Sequence, residues 1–207
     1  MDTRSEFARL WDLYLPITAG ACVVVLALVV FAVLRYRDRP DRRPAGRAEH
    51  TAGELILAGA LTAIAAVLIT VTLRAEARVD RTRAGGLRVE VTAFDWQWRF
   101  HYPQQHVTVV GTPTVRPTLV VPTGTRISFW LVSRDVIHSF FVPALRFKRD
   151  AFPGRATRFD LVVDRAGTFP GRCAEFCGLY HAGMEFEVRA VPPAQFGAAL
   201  DQASRAA

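Results

Sequence analysis

The chain has 207 residues, of which 51% are hydrophobic, and its formal net charge is +7. Its three cysteines are scattered, which excludes a protein held together by a disulfide framework. Six arginines lie in one short segment between two apolar runs, a pattern typical of juxtamembrane loops rather than of nucleic-acid-binding surfaces. They are Arg35, Arg37, Arg39, Arg42, Arg43 and Arg47. We therefore expect a membrane protein with no nucleic-acid partner.

Two uncharged apolar runs occupy the first third of the chain. Leu13–Leu34 contains no charged residue over 22 positions, which is long enough to cross a bilayer as a helix. It is long for the apolar region of a signal peptide, and no cleavage signal follows it. Leu55–Leu73 is a second uncharged run, of 19 residues. Together they predict a transmembrane hairpin over residues 13–73, with helices at about 13–34 and 55–73.

The charges around the hairpin predict its orientation. The connection, residues 35–54, carries the arginine cluster, and positively charged loops stay in the cytoplasm. Both termini are then expected on the outer face of a bacterial-type plasma membrane. Residues 1–12 predict an interfacial segment, because Phe7 and Trp11 share one helical face. Glu54, at the start of the second run, is either a solvated helix end or a carboxylate where protons enter.

The chain changes character after a charged linker over residues 74–86. Residues 87–207 show the alternation and turn signals of an all-β domain, which predicts a Greek-key sandwich or barrel. A closing helix is expected from Pro192 to Ala207. The predicted strands are Leu87–Phe94, Trp96–Tyr102, Val107–Val110, Thr118–Val121, Arg126–Val132, Ser139–Val142, Ala156–Val163, Thr168–Gly171 and Glu185–Val191.

The stretch GRCAEFCGLYHAGM concentrates metal ligands, because Cys173, Cys177, His181 and Met184 lie within it. Thiolate and thioether sulfurs are soft ligands and imidazole is intermediate, so the set suits copper better than calcium, magnesium or manganese. A mononuclear blue-copper site uses a single Cys. The second Cys therefore requires a disulfide, a zinc site or two copper ions.

A pair of copper ions needs a fourth strong donor, and His138 is the candidate. A zinc site would use the same two Cys and two His, but its cysteines are normally closer in sequence and Met184 would have no role. A disulfide would leave both histidines without a role. The chemistry of the ligand set alone favours copper over zinc but does not exclude zinc. The glycines of the stretch are expected to give its turns positive φ; they are Gly171, Gly178 and Gly183.

Three motifs resemble subunit II of a haem–copper cytochrome c oxidase, which carries the binuclear copper centre CuA. They are DWQWRFHYP at 95–103, SRDVIHSFFVPALRFKRDAFPGR at 133–155 and GRCAEFCGLYHAGM at 171–184. The resemblance implies a two-helix transmembrane hairpin followed by an all-β cupredoxin-like Greek-key domain with a short C-terminal helix. It also implies a subunit of the respiratory chain. In such a subunit CuA accepts electrons from cytochrome c and passes them to haem in subunit I, where oxygen is reduced to water.

The resemblance further implies a ligand set for the copper centre. Cys173 and Cys177 would bridge the two copper ions. His138 and His181 would each bind one of them, and Met184 would be a weak ligand to one ion.

Four other residues receive roles from the resemblance. The backbone carbonyl of Glu175 would be a weak copper ligand, and its side chain would face subunit I and help bind a magnesium ion. Asp150 matches an acidic position near that interface. Trp96 matches the aromatic residue through which electrons reach CuA. Glu54 matches a carboxylate near the mouth of a proton pathway.

The implied partners are subunit I, subunit III, and either cytochrome c or a membrane-bound cytochrome as donor. The chain would be an enzyme only as a subunit of an oxidoreductase and translocase. Three alternative interpretations of the sequence remain. They are a quinol-oxidase subunit II without CuA, the CuA subunit of another haem–copper enzyme such as a nitric oxide reductase, and a membrane-anchored copper carrier. The ligand set argues against the first rival, and the carboxylates of Glu175, Asp150 and Glu54 argue against the last.

The sequence departs from the family pattern in its charges. Asp95 replaces the Gln that often precedes the first Trp. Residues 104–116 contain no Asp or Glu, although members served by a basic cytochrome c often carry acidic residues there. From Arg74 onward, 18 Arg plus Lys stand against 12 Asp plus Glu. The expected donor is therefore an acidic or membrane-tethered cytochrome, or one that docks through apolar contact around Trp96 and Trp98.

Overall fold

The computed structural model describes residues 3–37, 50–79, 85–112 and 114–207. Its N-terminal part consists of two helices, α1 (Thr3–Arg35) and α2 (Thr51–Val79). Stretches of 31 and 28 residues within them are long and apolar enough to cross a membrane, since about 20 apolar residues span the core of a bilayer. The two predicted membrane helices are thus confirmed as elements. Residues 38–49 of the arginine-rich connection lie outside the described residues.

Both helices extend beyond their uncharged runs. The expected interfacial segment, residues 1–12, is continuous with α1, which begins at Thr3. At its other end, α2 continues through RAEAR to Val79, into the expected linker, because Arg, Ala and Glu are good helix formers. Between the helices, the Tyr14 hydroxyl donates to the carbonyl of Leu68 at 3.1 Å. This bond gives a polar group of the apolar hairpin a partner.

In the described part of the β domain, ten strands form two five-stranded sheets. The first sheet has the order β3-β2-β1-β5-β8 and the second the order β4-β10-β9-β6-β7. β1 is parallel to β5 and β4 to β10, whereas the other pairs are antiparallel. The strands are β1 Leu87–Phe94, β2 Gln97–Tyr102, β3 Val107–Val110, β4 Thr118–Pro122, β5 Arg126–Ser133, β6 His138–Val142, β7 Phe147–Ala151, β8 Thr157–Val162, β9 Gly167–Cys173 and β10 Glu185–Val191.

All nine predicted strands are present, with ends shifted by no more than two residues. The sequence does not predict β7, which pairs with β6 at the edge of the second sheet. Only Phe147 and Ala151 of its FKRDA segment are apolar, and both are buried. Two apolar residues four apart make too short an alternation to indicate a strand. This missed strand carries Lys148 and Asp150.

The core between the sheets is rich in aromatic rings. β5 alternates strictly, so that Ile127, Phe129 and Leu131 point inward. Phe140 of β6 stacks on Phe186 of β10 with ring centroids 4.6 Å apart. These rings form the floor beneath the end of the sandwich that carries the cysteines. A rigid floor of this kind limits how far the loops above it can move.

The opposite end of the sandwich is held by a buried tyrosine. The hydroxyl of Tyr102, on β2, donates to the carbonyl of Val120 at 2.9 Å and accepts from its amide at 2.8 Å. Because Val120 lies on β4, these bonds join the two sheets. The closing helix is confirmed as α3, Phe196–Ala206, which buries Leu200 against this end.

Candidate metal centre

Three segments meet at the end of the sandwich opposite Tyr102. One is the two-residue turn Asp95–Trp96 between β1 and β2, and the second is the segment that leads into His138, the first residue of β6. The third is the loop 174–184 between β9 and β10. β6 pairs with β9 next to the loop, with Phe140 opposite Cys173. This pairing brings a histidine and a cysteine together although 35 positions separate them.

Two cysteine sulfurs form the middle of the site. Cys173 ends β9 and Cys177 lies in the loop that follows, and both side chains are buried. Their Sγ atoms lie 3.9 Å apart, and no disulfide joins them. The spacing of four residues in a tight loop therefore turns both sulfurs to one side, where they can share metal ions.

Each sulfur has an imidazole nitrogen beside it. The Nδ1 atom of His138 lies 3.9 Å from the sulfur of Cys173. The Nδ1 atom of His181 lies 3.4 Å from the sulfur of Cys177. Cys173, Cys177 and His138 have ligand atoms that all lie within 4.8 Å of one another, and His181 is not a member of that group.

Each sulfur also has a weaker donor beside it. The carbonyl oxygen of Glu175 accepts from the thiol of Cys173 at 3.3 Å. The thioether sulfur of Met184 lies 3.9 Å from the sulfur of Cys177 and is completely buried. The structure thus brings together all six groups that the sequence and its resemblance singled out. Soft sulfur donors with imidazole nitrogens fit copper, the metal that the resemblance implies.

The second nitrogen of His138 contacts a carboxylate that the sequence analysis missed. Nε2 of His138 lies 2.7 Å from Oδ1 of Asp135, and the imidazole is completely buried. Oδ1 also accepts from the amide of Val136 at 2.7 Å. Oδ2 accepts from the backbone amide of Asp95. An Asp three residues before a ligand-type His was the available signal, because metal-binding histidines usually give their other nitrogen to a carboxylate or carbonyl.

These contacts shift the pKa values of both partners. Burial favours the neutral form of Asp135, but the Asp95 amide, His138 and the Val136 amide outweigh it and hold the pKa of Asp135 well below its usual value. Burial likewise opposes the charge on His138, yet its hydrogen bonds with Cys173 and Asp135 raise its pKa. The Asp95 carboxyl hydrogen bonds Asp135, and this bond, with the charge of Asp135, raises the pKa of Asp95.

The two thiols are made unequal by their surroundings. Burial raises the pKa of Cys173, but its hydrogen-bonding contacts with His138 and the Ser139 amide outweigh this effect, so that the pKa falls to about 7. Burial and the neighbouring charge of Cys173 raise the pKa of Cys177 to about 12. In the metal-free protein at neutral pH, the thiolate therefore resides mainly on Cys173.

Trp96 connects the protein surface to this loop. Its side chain is partly buried, and its indole Nε1 donates to the carbonyl of Cys177 at 3.0 Å. Trp96 has a φ of 64°, a conformation that costs a non-glycine residue of order 1–3 kcal/mol and persists only when its surroundings hold it. The Tyr180 ring packs edge-on against the indole, with centroids 5.0 Å apart. Trp98, by contrast, is completely buried, so the expected donor contact around Trp98 is wrong.

The glycines of the loop do not share one function. Gly178 has a φ of 110°, as expected. Gly171 and Gly183 have no positive φ, and the expectation is wrong for them. A Cβ on Gly171 would lie within 3.0 Å of three ring atoms of Phe186, so its role is close packing. A Cβ on Gly183 would meet nothing within 4 Å.

The side chain of Glu175 points away from the sulfurs. Its Oε2 lies 3.8 Å from the ammonium of Lys148, which also lies 3.6 Å from Oδ1 of Asp150. Lys148 therefore lies between the carboxylates of Glu175 and Asp150, and the Glu175 side chain is exposed. Glu54 is exposed in the first turn of α2.

Comparison with known proteins supports the motifs read from the sequence. The family described as cytochrome C oxidase subunit II, periplasmic domain, matches residues 111–191. A probable cytochrome c oxidase subunit 2 of Nocardia farcinica is 49% identical over 102 residues, which are 46% of this chain and 27% of that protein. The cytochrome c oxidase subunit 2 of Cereibacter sphaeroides is 25% identical over 221 residues, which cover 91% of this chain and 73% of that protein.

A solved structure supports the fold. The periplasmic domain of subunit II of cytochrome oxidase (CoxB) of Bradyrhizobium japonicum superposes with a TM-score of 0.53 and 29% identity, covering 61% of this chain and 97% of that one. The cupredoxin-like class is thereby confirmed. Two helices that could span a membrane and a family of periplasmic domains indicate membrane localisation. In its motifs, its fold and its matched sequence, the chain is similar to cytochrome c oxidase subunit II.

Proposed function

We propose that this chain is the subunit through which electrons enter a haem–copper cytochrome c oxidase. The observation that carries the proposal is the twofold donor set, in which each of two neighbouring sulfurs has its own imidazole nitrogen and its own weak donor. Cys173, Cys177, His138 and His181 would hold a pair of copper ions. When bound, such a pair supplies one-electron transfer with little change in ligand geometry.

The distances favour two ions over a single zinc ion. A tetrahedral zinc ion with bonds of roughly 2.0–2.3 Å requires its four donor atoms within about 4 Å of one another. His181 is outside the group of three donors that lie within 4.8 Å of one another. The position of Met184 beside Cys177 also has no use in a Cys2His2 zinc site, whereas a soft thioether suits copper.

Trp96 is proposed as the point of contact for the electron donor. Its indole is partly exposed and is hydrogen bonded to the backbone of a sulfur ligand, which gives a short bonded route from the surface to Cys177. Phe176 and Leu179, in the same loop, are 80% and 81% exposed. These apolar side chains support docking by apolar contact, and a cytochrome c or a membrane-bound cytochrome is the proposed donor.

The remaining chemistry is assigned to partner subunits. In this proposal oxygen is reduced to water at the haems of subunit I, with subunit III as a further partner, and the alternative acceptor is that of another haem–copper enzyme. The exposed carboxylate of Glu175 would face subunit I and share a magnesium ion, with Asp150 nearby. Lys148 now lies between these carboxylates and would have to move aside for a cation.

The proposed arrangement in the membrane follows from charge. The arginine-rich connection, residues 35–54, would lie in the cytoplasm, with both termini and the domain 87–207 on the outer side. Residues 1–12 would rest at the interface and residues 74–86 would link the hairpin, residues 13–73, to the domain. Glu54, in the first turn of α2, would then lie on the cytoplasmic side, where protons enter.

Copper reconstitution of the full chain in detergent tests this function. We expect a pair of copper ions per chain and a multiline EPR spectrum from one unpaired electron shared by two copper nuclei. His138→Ala should abolish that spectrum. His101→Ala is the matched control, because its imidazole contacts Thr108 on β3 and is not among the donors. A single copper ion per chain, or preferential uptake of zinc, would refute the proposal.

A further inference from the structure

The contact between Asp135 and His138 determines which imidazole nitrogen can bind a metal. His138 is completely buried, and its Nε2 lies 2.7 Å from Oδ1 of Asp135. An ionised carboxylate can only accept a hydrogen bond, so the shared proton belongs to Nε2. The lone pair of the neutral imidazole is then on Nδ1, which is the nitrogen that faces Cys173.

Both oxygens of Asp135 are held by groups that cannot easily move. Oδ1 accepts from the Val136 amide at 2.7 Å and from the Ser133 hydroxyl at 3.1 Å. Oδ2 accepts from the backbone amide of Asp95, across the gap between the loops. The Asp135 side chain is 22% exposed, so it is not a free surface charge. Rotation of the carboxyl would break several of these bonds together.

We propose that Asp135 is a positioning residue that fixes Nδ1 of His138 as the metal-facing atom, and that the backbone amide of Asp95 holds Asp135 in place. The inference rests on the proposed copper centre. The contact with the Asp95 amide uses the main chain, so it does not depend on the Gln of the family pattern. Carboxylates that orient metal-binding imidazoles raise metal affinity about 10–100-fold.

The turn around Asp95 allows the amide to be removed without changing the fold. Phe94 pairs with Gln97, so Asp95 and Trp96 are the two central residues of the turn. Only Trp96 has a positive φ, as at the third position of a type II turn, and proline is common at the position before it. Phe94, in β1, already has the extended conformation that a following proline requires.

The test measures copper affinity in the full chain in detergent, by competition with a chelator. Asp135→Ala and Asp95→Pro should each weaken copper binding about 10–100-fold and alter the copper hyperfine pattern. Asp95→Asn keeps the backbone amide and should weaken binding less than Asp95→Pro does. Asp201→Asn, on the exposed face of α3, is the control for loss of a negative charge. Thermal melting shows whether each variant is folded.

A second measurement does not depend on copper. In the metal-free chain labelled with ¹⁵N-histidine, at alkaline pH, His138 should carry its proton on Nε2, and Asp135→Ala should yield a mixture of the two neutral forms. Wild-type copper affinity in either Asp135→Ala or Asp95→Pro, or a proton on Nδ1 in the wild type, would overturn the proposal. Failure of the wild-type chain to bind copper would refute the proposed function instead, and the nitrogen spectrum would still decide this inference.

Discussion

Replacing Gly171 with alanine tests whether the aromatic floor beneath the candidate metal centre is as rigid as its ring contacts indicate. Gly171 lies opposite Phe186 in the pairing of β9 with β10. A Cβ at this position would lie within 3.0 Å of three Phe186 ring atoms, whereas ordinary contacts begin at 3.4 Å. The ring cannot easily retreat, because Phe186 is 1% exposed and stacks on Phe140 at 4.6 Å. The Trp98 ring also packs edge-to-face with Phe186, with ring centroids 5.2 Å apart.

The expected cost of Gly171→Ala is therefore at the upper end for overpacking, about 3 kcal/mol. For a domain of this size, that corresponds to a fall in melting temperature of roughly 8–15 °C. The assay is thermal and denaturant unfolding of the full chain in detergent, followed by near-ultraviolet circular dichroism, to which the buried Trp98 contributes. Gly183→Ala is the matched control within the same motif, since its Cβ would meet nothing within 4 Å. Combining Gly171→Ala with Phe186→Leu should cost less than the sum of the two single changes. Equal stability of the wild type and Gly171→Ala would refute the packing argument.

Two further predictions concern function and pH. In the purified oxidase complex, Trp96→Phe should slow electron transfer from the reduced cytochrome at least about 10-fold, because it loses the hydrogen bond to the Cys177 carbonyl and the indole contact at the surface. The control Tyr180→Phe keeps its ring against position 96 and should not slow the transfer. An unchanged rate in Trp96→Phe at full copper content would contradict the proposed role. In the metal-free chain, the rate of alkylation of Cys173 should rise as the pH increases through about 7, because its pKa is lowered to that value. Cys177, with a pKa of about 12, should stay unreactive up to pH 9. Mass mapping of the alkylated peptides measures both rates, and a higher reactivity of Cys177 would contradict this order.

The helices and most strands were predictable because each has a local signal. The uncharged runs identify α1 and α2, and alternation identifies nine strands. β7 was missed because its polar residues hide the alternation, and its place beside β6 depends on pairing across the sheet. Trp98 was misjudged for a related reason. Trp96 and Trp98 are two positions apart and look equivalent, but the positive φ of Trp96 takes it out of the strand pattern while Trp98 points into the core.

The sequence identified the donors of the candidate site because Cys, Met and His are rare residue types, and here they lie close together or in a known motif. Asp135 was missed because an aspartate before a strand usually indicates only a turn. The structure brings it into contact with His138 and with the amide of Asp95, which is 40 positions away. The packing role of Gly171 was hidden in the same way, because it depends on a ring that belongs to another strand.

The parallel pairing of β4 with β10 has a consequence for the order of events during folding. β4 ends at Pro122 and β10 begins at Glu185, so the two strands can pair only after most of the domain has been synthesised. Non-local pairings of this kind form slowly. The amide of Cys173 is bonded to the carbonyl of Met184, directly before β10, so the sulfur loop is closed only when that last strand is in place. Metal uptake should therefore follow completion of the sandwich, and the appearance of the copper spectrum should report one of the last steps in the maturation of the chain.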